Sequence, residues 1–128
     1  MVRSLTNPLV LNFGHPLSDA AQAELVESIG EFETVLARVS LDMDSPLEPQ
    51  LVAVVEGMEV SSEAFQTRSL VVVLPGASVA AGIVLAMLHG RSGNWPKIMH
   101  LVRADDGVFH VGELVDLQRT RNTARTSR

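Results

Sequence analysis

The chain has no cysteine, which excludes disulfides, thiol catalysis and cysteine-ligated zinc and fits a reducing compartment without requiring one. Its four histidines are dispersed, with no HExxH pattern and no close His/Asp cluster. A metal site would need ligands gathered from distant loops, so neither a metal nor a cofactor is expected. Charged side chains are missing altogether between Arg68 and Arg91. A span that long raises the question of a membrane helix. Pro75-Gly76 answers it by dividing the span into a strand-sized piece and a helix of roughly three turns, each too short to cross about 30 Å of hydrocarbon. The N-terminus MVRSLTNPLV lacks a basic region followed by a long apolar core, so no signal peptide is expected and a cytoplasmic protein is. Internal repeats and low-complexity segments are also missing.

What is present is apolar. Hydrophobic residues make up 46% of 128 positions, enough for one domain with a sizeable core and no second one. The formal net charge of -5 is unevenly spread. Arg119, Arg121, Arg125 and Arg128 lie in a tail without acids, and setting them aside leaves about -9 on the rest of the chain. That division suggests a domain over residues 1–117 and a basic tail over 118–128, the latter a solvated terminus in the ordinary case. An acidic body does not suit long nucleic acids, whereas a small anionic ligand needs only a few local charges and oriented amides.

The most informative stretch is LVVVLPGASVAAGIVLAMLHGRSG, Leu70 to Gly93. Leu70–Leu74 is continuously apolar, the pattern of a strand covered on both faces in a parallel sheet. Pro75 and Gly76 stop it, and Ser78 is positioned to cap a helix through Leu88. A strand end feeding a helix N-terminus is an anion site in many open α/β folds, so Gly76–Ser78 is a candidate phosphate loop; the alternative is an ordinary βα turn. Earlier in the chain, Pro8–Phe13 reads as the first strand and a helix follows, capped by Ser18 and closed by Gly30, with Ala21, Leu25, Val26 and Ile29 on its apolar face. Glu33–Leu41 reads as the second strand. Ser45-Pro46-Leu47-Glu48 is a capping-box pattern opening a helix that buries Leu51, Val52, Val54 and Val55 before Gly57. Ser61–Thr67 adds a short turn, and Lys97–Ala104 pairs with Val108–Leu117 across Asp105-Asp106-Gly107.

The resulting order, β-α-β-α-β-α-β-β, predicts a single-domain, Rossmann-like α/β fold whose sheet is mostly parallel with one antiparallel strand near an edge. The helix from Ala80 to Leu88 has no polar face and must be covered all round. In a small chain the sheet covers one side, which points to a second subunit on the other and a two-fold homodimer.

Turns after the first and third strands share one sheet edge, bringing Asn12, Gly14 and His15 near Pro75, Gly76, Ala77 and Ser78. Gly14 would permit close backbone approach, Asn12 could read a base or ribose, and His15 could donate to a phosphate. Neither GxGxxG nor GxxxxGK[ST] occurs, so neither a dinucleotide nor a Walker-type site is supported. The opposite edge is expected to gather His89, Arg91, Gln118, Arg119 and Arg121. There Gly90 could equally be a helix C-cap, with His89 and Arg91 complementing the helix dipole.

Val10-Leu11-Asn12-Phe13-Gly14-His15-Pro16-Leu17, Leu74-Pro75-Gly76, Leu88-His89-Gly90-Arg91-Ser92-Gly93-Asn94-Trp95-Pro96 and Val115-Asp116-Leu117-Gln118-Arg119-Thr120-Arg121 together resemble the CRISPR-associated Csx-fifteen family across nearly the whole chain. Gly14 stands where the pattern has serine, removing one hydroxyl. The resemblance implies a dimeric ancillary protein of type III CRISPR systems, related to proteins that sense or degrade cyclic oligoadenylates, with cyclic tetra-adenylate as the ligand. Asn12 and Gln118 would then contact base or ribose, and His15, Arg91 and Arg121 would supply charge-assisted hydrogen bonds. Cleavage of the ring would need a ribose 2′-OH held in line, a base and donors on the developing charge. His15 and Arg91 fall on opposite edges, which favours a sponge that sequesters the messenger over a ring nuclease. A nucleotide enzyme of another kind and a dimeric interaction protein without ligand are the remaining readings. Ligand on one dimer's upper edge could also meet the lower arginines of another and drive higher assembly.

Overall fold

The structure, a computed structural model, describes residues 7–128. Its elements are β1 (Leu9–Asn12), α1 (Asp19–Ile29), β2 (Glu33–Leu36), α2 (Leu47–Gly57), α3 (Ser62–Thr67), β3 (Leu70–Val73), α4 (Ser78–Ser92), β4 (Lys97–Arg103), β5 (Phe109–Asp116) and α5 (Leu117–Arg125). The five strands form one sheet in the order β2-β1-β3-β4-β5. All neighbours run parallel except β4 and β5, so the α/β, mostly parallel architecture with an antiparallel edge strand is the one the element order predicts. Among the described residues no helix is long and apolar enough to cross a membrane.

β1 and β3 form the centre because every one of their side chains is apolar except Asn12, and all eight positions are buried. Successive residues alternate between two cores. Leu9, Leu11, Leu70 and Val72 pack against Leu51 and Val55 of α2, Phe65 of α3, and Ala80, Val84 and Leu88 of α4.

 On the other face, Val10, Val71, Val73 and Met99 pack against Leu25 of α1, with Ile29 and Leu114 beside them. Each core buries side chains worth about 1.5–3 kcal/mol apiece when removed from water. α1 therefore lies alone on one face, and α2, α3 and α4 share the other.

Local chemistry explains where the elements begin and end. Ser18 accepts the Ala21 N–H at the start of α1, and the N–H of Gly30 closes that helix on the Val26 carbonyl. Val26 itself is 46% exposed, so it does not belong to the buried face. β2 stops at Leu36, short of Leu41, although Ala37 still donates to the Asn12 carbonyl. The capping box at Ser45 does not form: the Ser45 hydroxyl donates to Asp42, and Pro46 occupies the cap without a side-chain bond. Gln50 reaches back instead, donating to the carbonyls of Asp42 and Pro46 and accepting the Asp42 N–H. α4 runs four residues past Leu88, so His89–Ser92 are helical, and Gly93 rather than Gly90 forms the left-handed C-cap.

Two helices differ in detail from what the sequence suggests. The apolar helix α4 meets the sheet beneath it and its own neighbours α2 and α3, so more of its surface is covered within the chain than by the sheet alone. Its exposed strip is Val79, Gly82, Ala86 and Gly90, mostly small residues. The basic tail is solvent-exposed from Arg119 onward, as a solvated terminus is expected to be, but it is not without structure. From Leu117 to Arg125 it is the helix α5, capped by the Asp116 carboxylate on the Arg119 N–H.

β4 and β5 form a hairpin that outgrows the sheet. β3 pairs with β4 only at Lys97 and Ile98, so from His100 onward β4 rises past the end of β3 with β5 as its one partner. Glu113 lies opposite His100 and Val111 opposite Leu101, which leaves Gly112 as the extra residue of a bulge. A Cβ there would fall 2.5 Å from Val102 Cγ2 and 3.2 Å from the His100 carbonyl, so glycine is what lets the strands close over the bulge.

Candidate functional site

β1 and β3 are neighbours, yet the chain leaves β1 for α1 on one face and β3 for α4 on the other. Their loops diverge and open a crevice at the carboxyl edge of the sheet, the position where open α/β sheets take ligands. The cavity there is about 500 Å³. Gly14 and His15 line it from the first loop and Pro75, Gly76 and Ala77 from the second, with Val39 and Leu41 forming the remaining wall. The two turns paired by sequence reasoning thus share one cavity.

Asn12 organises the first turn from beneath. It is the one buried polar residue among the described positions, 1% exposed. Its Nδ2 donates to the His15 carbonyl at 2.9 Å, and its Oδ1 accepts the Gly14 N–H at 2.8 Å. With one hydrogen bond at each end of its amide, Asn12 holds the turn in place from beneath, a positioning role in addition to the contact expected of it. Gly14 lies close against β3: a Cβ on it would sit 3.3 Å from Val73 Cγ1 and 3.6 Å from Asn12 Oδ1. A serine here would press on Val73, so the missing hydroxyl goes with a tighter floor.

The second turn presents a helix start without a side-chain cap. Ala77, in extended conformation, is the N-cap of α4, and Ser78 is the first helical residue rather than the cap. The first bond of the helix runs from Ala81 N–H to the Ala77 carbonyl. The N–H groups of Ser78, Val79 and Ala80 consequently have no acceptor within the helix, and the first turn carries no acid. These amides and the positive end of the helix dipole favour an anion. Lysine, arginine, aspartate and glutamate are absent from the cavity lining; His15 is its ionisable side chain. Among the described residues no carboxylate or lysine pairs with the His15 imidazole.

The residues expected at the opposite edge are engaged within the molecule and do not join the crevice. His89 stacks on Trp95 with ring centroids 4.3 Å apart. Gln118 accepts the Trp95 N–H at 2.8 Å and donates to Asn122. Arg91 turns toward α2 and α3, 4.0 Å from Glu56 and 5.6 Å above the Phe65 ring. Arg121 donates to Asn122. A smaller cavity of about 220 Å³ lies at this edge, bordered by Phe65, Arg68, Trp95 and Lys97. Arg68 is held there by Glu33 at 2.9 Å and by the Asn7 carbonyl.

One polar cluster escapes sequence reasoning. His110 of β5 bonds Glu24 of α1 through Nδ1 at 2.9 Å and Asp106 of the hairpin turn through Nε2 at 3.0 Å. Glu24 also accepts the Val111 N–H, and Ser18 donates to the Phe109 carbonyl. Hydrogen bonds to the two carboxylates raise the His110 pKa above its ordinary value. The Val111 N–H and then His110 lower that of Glu24, and the Val108 N–H and then His110 lower that of Asp106. Asp106 and His110 are four apart across a turn, a local signal, but nothing local links them to Glu24. Among the described residues no group of three or more His, Asp or Glu side chains is arranged to hold a metal. Compared with protein-family models, curated proteins and solved structures, the chain matches none.

Proposed function

We propose that the crevice between the β1 and β3 loops binds a small phosphorylated ligand of the nucleotide type, with cyclic tetra-adenylate as the ligand that the motif resemblance favours. The observation that carries this reading is the meeting of an uncapped helix start with a rigid glycine turn in one cavity. Phosphate oxygens would accept from the amides of Ser78 and Val79 and from His15, and the apolar walls at Phe13, Val39 and Leu41 would take sugar or base. A crevice with few charges binds anions through fixed dipoles, which suits retention more than turnover. Hydrolysis would require a base oriented by a second group and donors aimed at the developing charge. Among the described residues His15 has no such partner, and Arg91 belongs to the far edge. The function proposed is therefore sequestration of a cyclic oligoadenylate in type III CRISPR signalling.

The test is titration of radiolabelled cyclic tetra-adenylate, with products resolved after prolonged incubation. Retention of the intact ring is expected. Ser78→Pro removes one amide at a position where proline fits a helix start and the preceding residue is already extended. It should weaken binding about tenfold, on the order of 1.4 kcal/mol. Linear products that vanish with His15→Ala would establish a ring nuclease instead. Failure of the ring and of simple nucleotides to bind would leave an interaction protein without this ligand.

A further inference from the structure

Among the described residues, β2 is the edge of the sheet that nothing protects except its shortness. Glu33 and Ala37 donate inward to the carbonyls of Pro8 and Asn12, so in a parallel ladder the N–H and C=O of Thr34 and Leu36 point outward. An open edge of this kind is a template for another strand, and proteins ordinarily blunt it with proline, lysine or a bulge. The far edge, β5, carries the Gly112 bulge; Thr34–Leu36 carries none of these devices. The face of β2 toward α1 is also uncovered. α1 packs over β1, β3 and β4, leaving Leu36 50% exposed and Val26 46% exposed. Apolar hollows flank the strand on both sides, one of about 240 Å³ beside Leu17 and Gln22 and one of about 430 Å³ beside Val54 and Met58.

We infer that this edge is the seam of a two-fold dimer in which β2 pairs antiparallel with β2 of a second copy, continuing two five-stranded sheets into one of ten. The strand is complementary to itself in the register that centres the two-fold axis on Val35. Thr34 faces the partner's Leu36, Leu36 faces the partner's Thr34, and each pair exchanges the two outward hydrogen bonds. Val35 faces the partner's Val35 as a pair not hydrogen-bonded across the seam. No like charges meet, and each exposed Arg38 falls opposite the partner's Phe32, next to the partner's exposed Glu31. Leu36 and Val26 of both copies then close over the bare face. Such a seam replaces the one expected on α4, which α2 and α3 partly cover, and it does not depend on any ligand.

The absence of cysteine makes the test specific. In a pair not hydrogen-bonded across an antiparallel seam the Cα atoms lie about 4.5 Å apart, within the range of about 4.4–6.8 Å that a disulfide spans. Val35→Cys in the full chain is therefore expected to oxidise to a covalent dimer of twice the mass, whereas Ala86→Cys on the exposed strip of α4 should stay reduced. Leu36→Lys alters only an exposed side chain and should turn a dimer into a monomer by sedimentation, with an unchanged circular dichroism spectrum. Thr34→Pro, which removes an outward N–H, should do the same. A wild-type monomer at tens of micromolar, or a dimer that survives both edge substitutions, overturns the inference. So does efficient cross-linking through Ala86→Cys without any through Val35→Cys.

Discussion

Asn12 shows how one side chain can shape a cavity without entering it. Removing its amide leaves the Gly14 N–H and the His15 carbonyl without the partners they now have. Asn12→Ala is expected to cost about 1–1.5 kcal/mol in urea unfolding, the usual worth of a hydrogen bond whose partners stay partly open to water. Asn12→Asp keeps an acceptor for Gly14 but loses the donor to His15 and buries a carboxylate, so it should cost more. The run Asn12-Phe13-Gly14-His15-Pro16 was legible as a functional turn. Its division of labour was not, because the same amide serves for reading a base or bracing a turn, and the bracing comes from burial beneath β3. Ser78 is a similar case: its type suits a cap, but the helix begins one residue earlier and its hydroxyl makes no cap bond.

Among the elements, β1 and β3 were readable because continuous apolar runs bounded by turn residues leave few other fates. β2 was harder to delimit: alternation persists to Leu41, while its pairing ends where β1 ends. At α2 the cap motif misled because the Ser45 hydroxyl is engaged by the Asp42 carboxylate and Pro46 takes the cap position. The hairpin and α1 are joined by the Glu24–His110–Asp106 cluster, which should respond to pH. With its pKa raised above 6.5, His110 contributes fully below that pH, and its contribution fades as pH rises through the folded value. Glu24 and Asp106, lowered from 4.5 and 3.8, contribute fully above those values and lose their contribution as pH falls through the folded ones. The melting temperature of the protein should therefore exceed that of His110→Gln most clearly between about pH 4.5 and 6.5, with the difference narrowing on either side. A pH-independent difference would show that the cluster acts through packing alone.

For the whole molecule, fold class followed from element order, since alternating strands and helices with short connections admit few arrangements. The covering of α4 did not follow, because sequence does not tell which helices share a face. With the seam proposed at β2, antiparallel pairing turns the two crevices of a dimer toward opposite ends. A ring that engages two crevices would then link separate dimers end to end. Saturating cyclic tetra-adenylate is expected to raise light scattering by the wild type, and Leu36→Lys, which leaves the crevice residues in place, should limit the product to a bridged pair. Unchanged scattering with full binding would mean that each crevice holds its ring alone. The strand order has a different consequence while the chain is being made. β1 pairs with β2 on one side and must wait for β3 on the other, Leu9 meeting first Glu33 and then Leu70. At roughly 5–20 residues per second on the ribosome, the nascent chain spends several seconds with a bare central strand, the interval in which chaperone capture or mispairing would be decided.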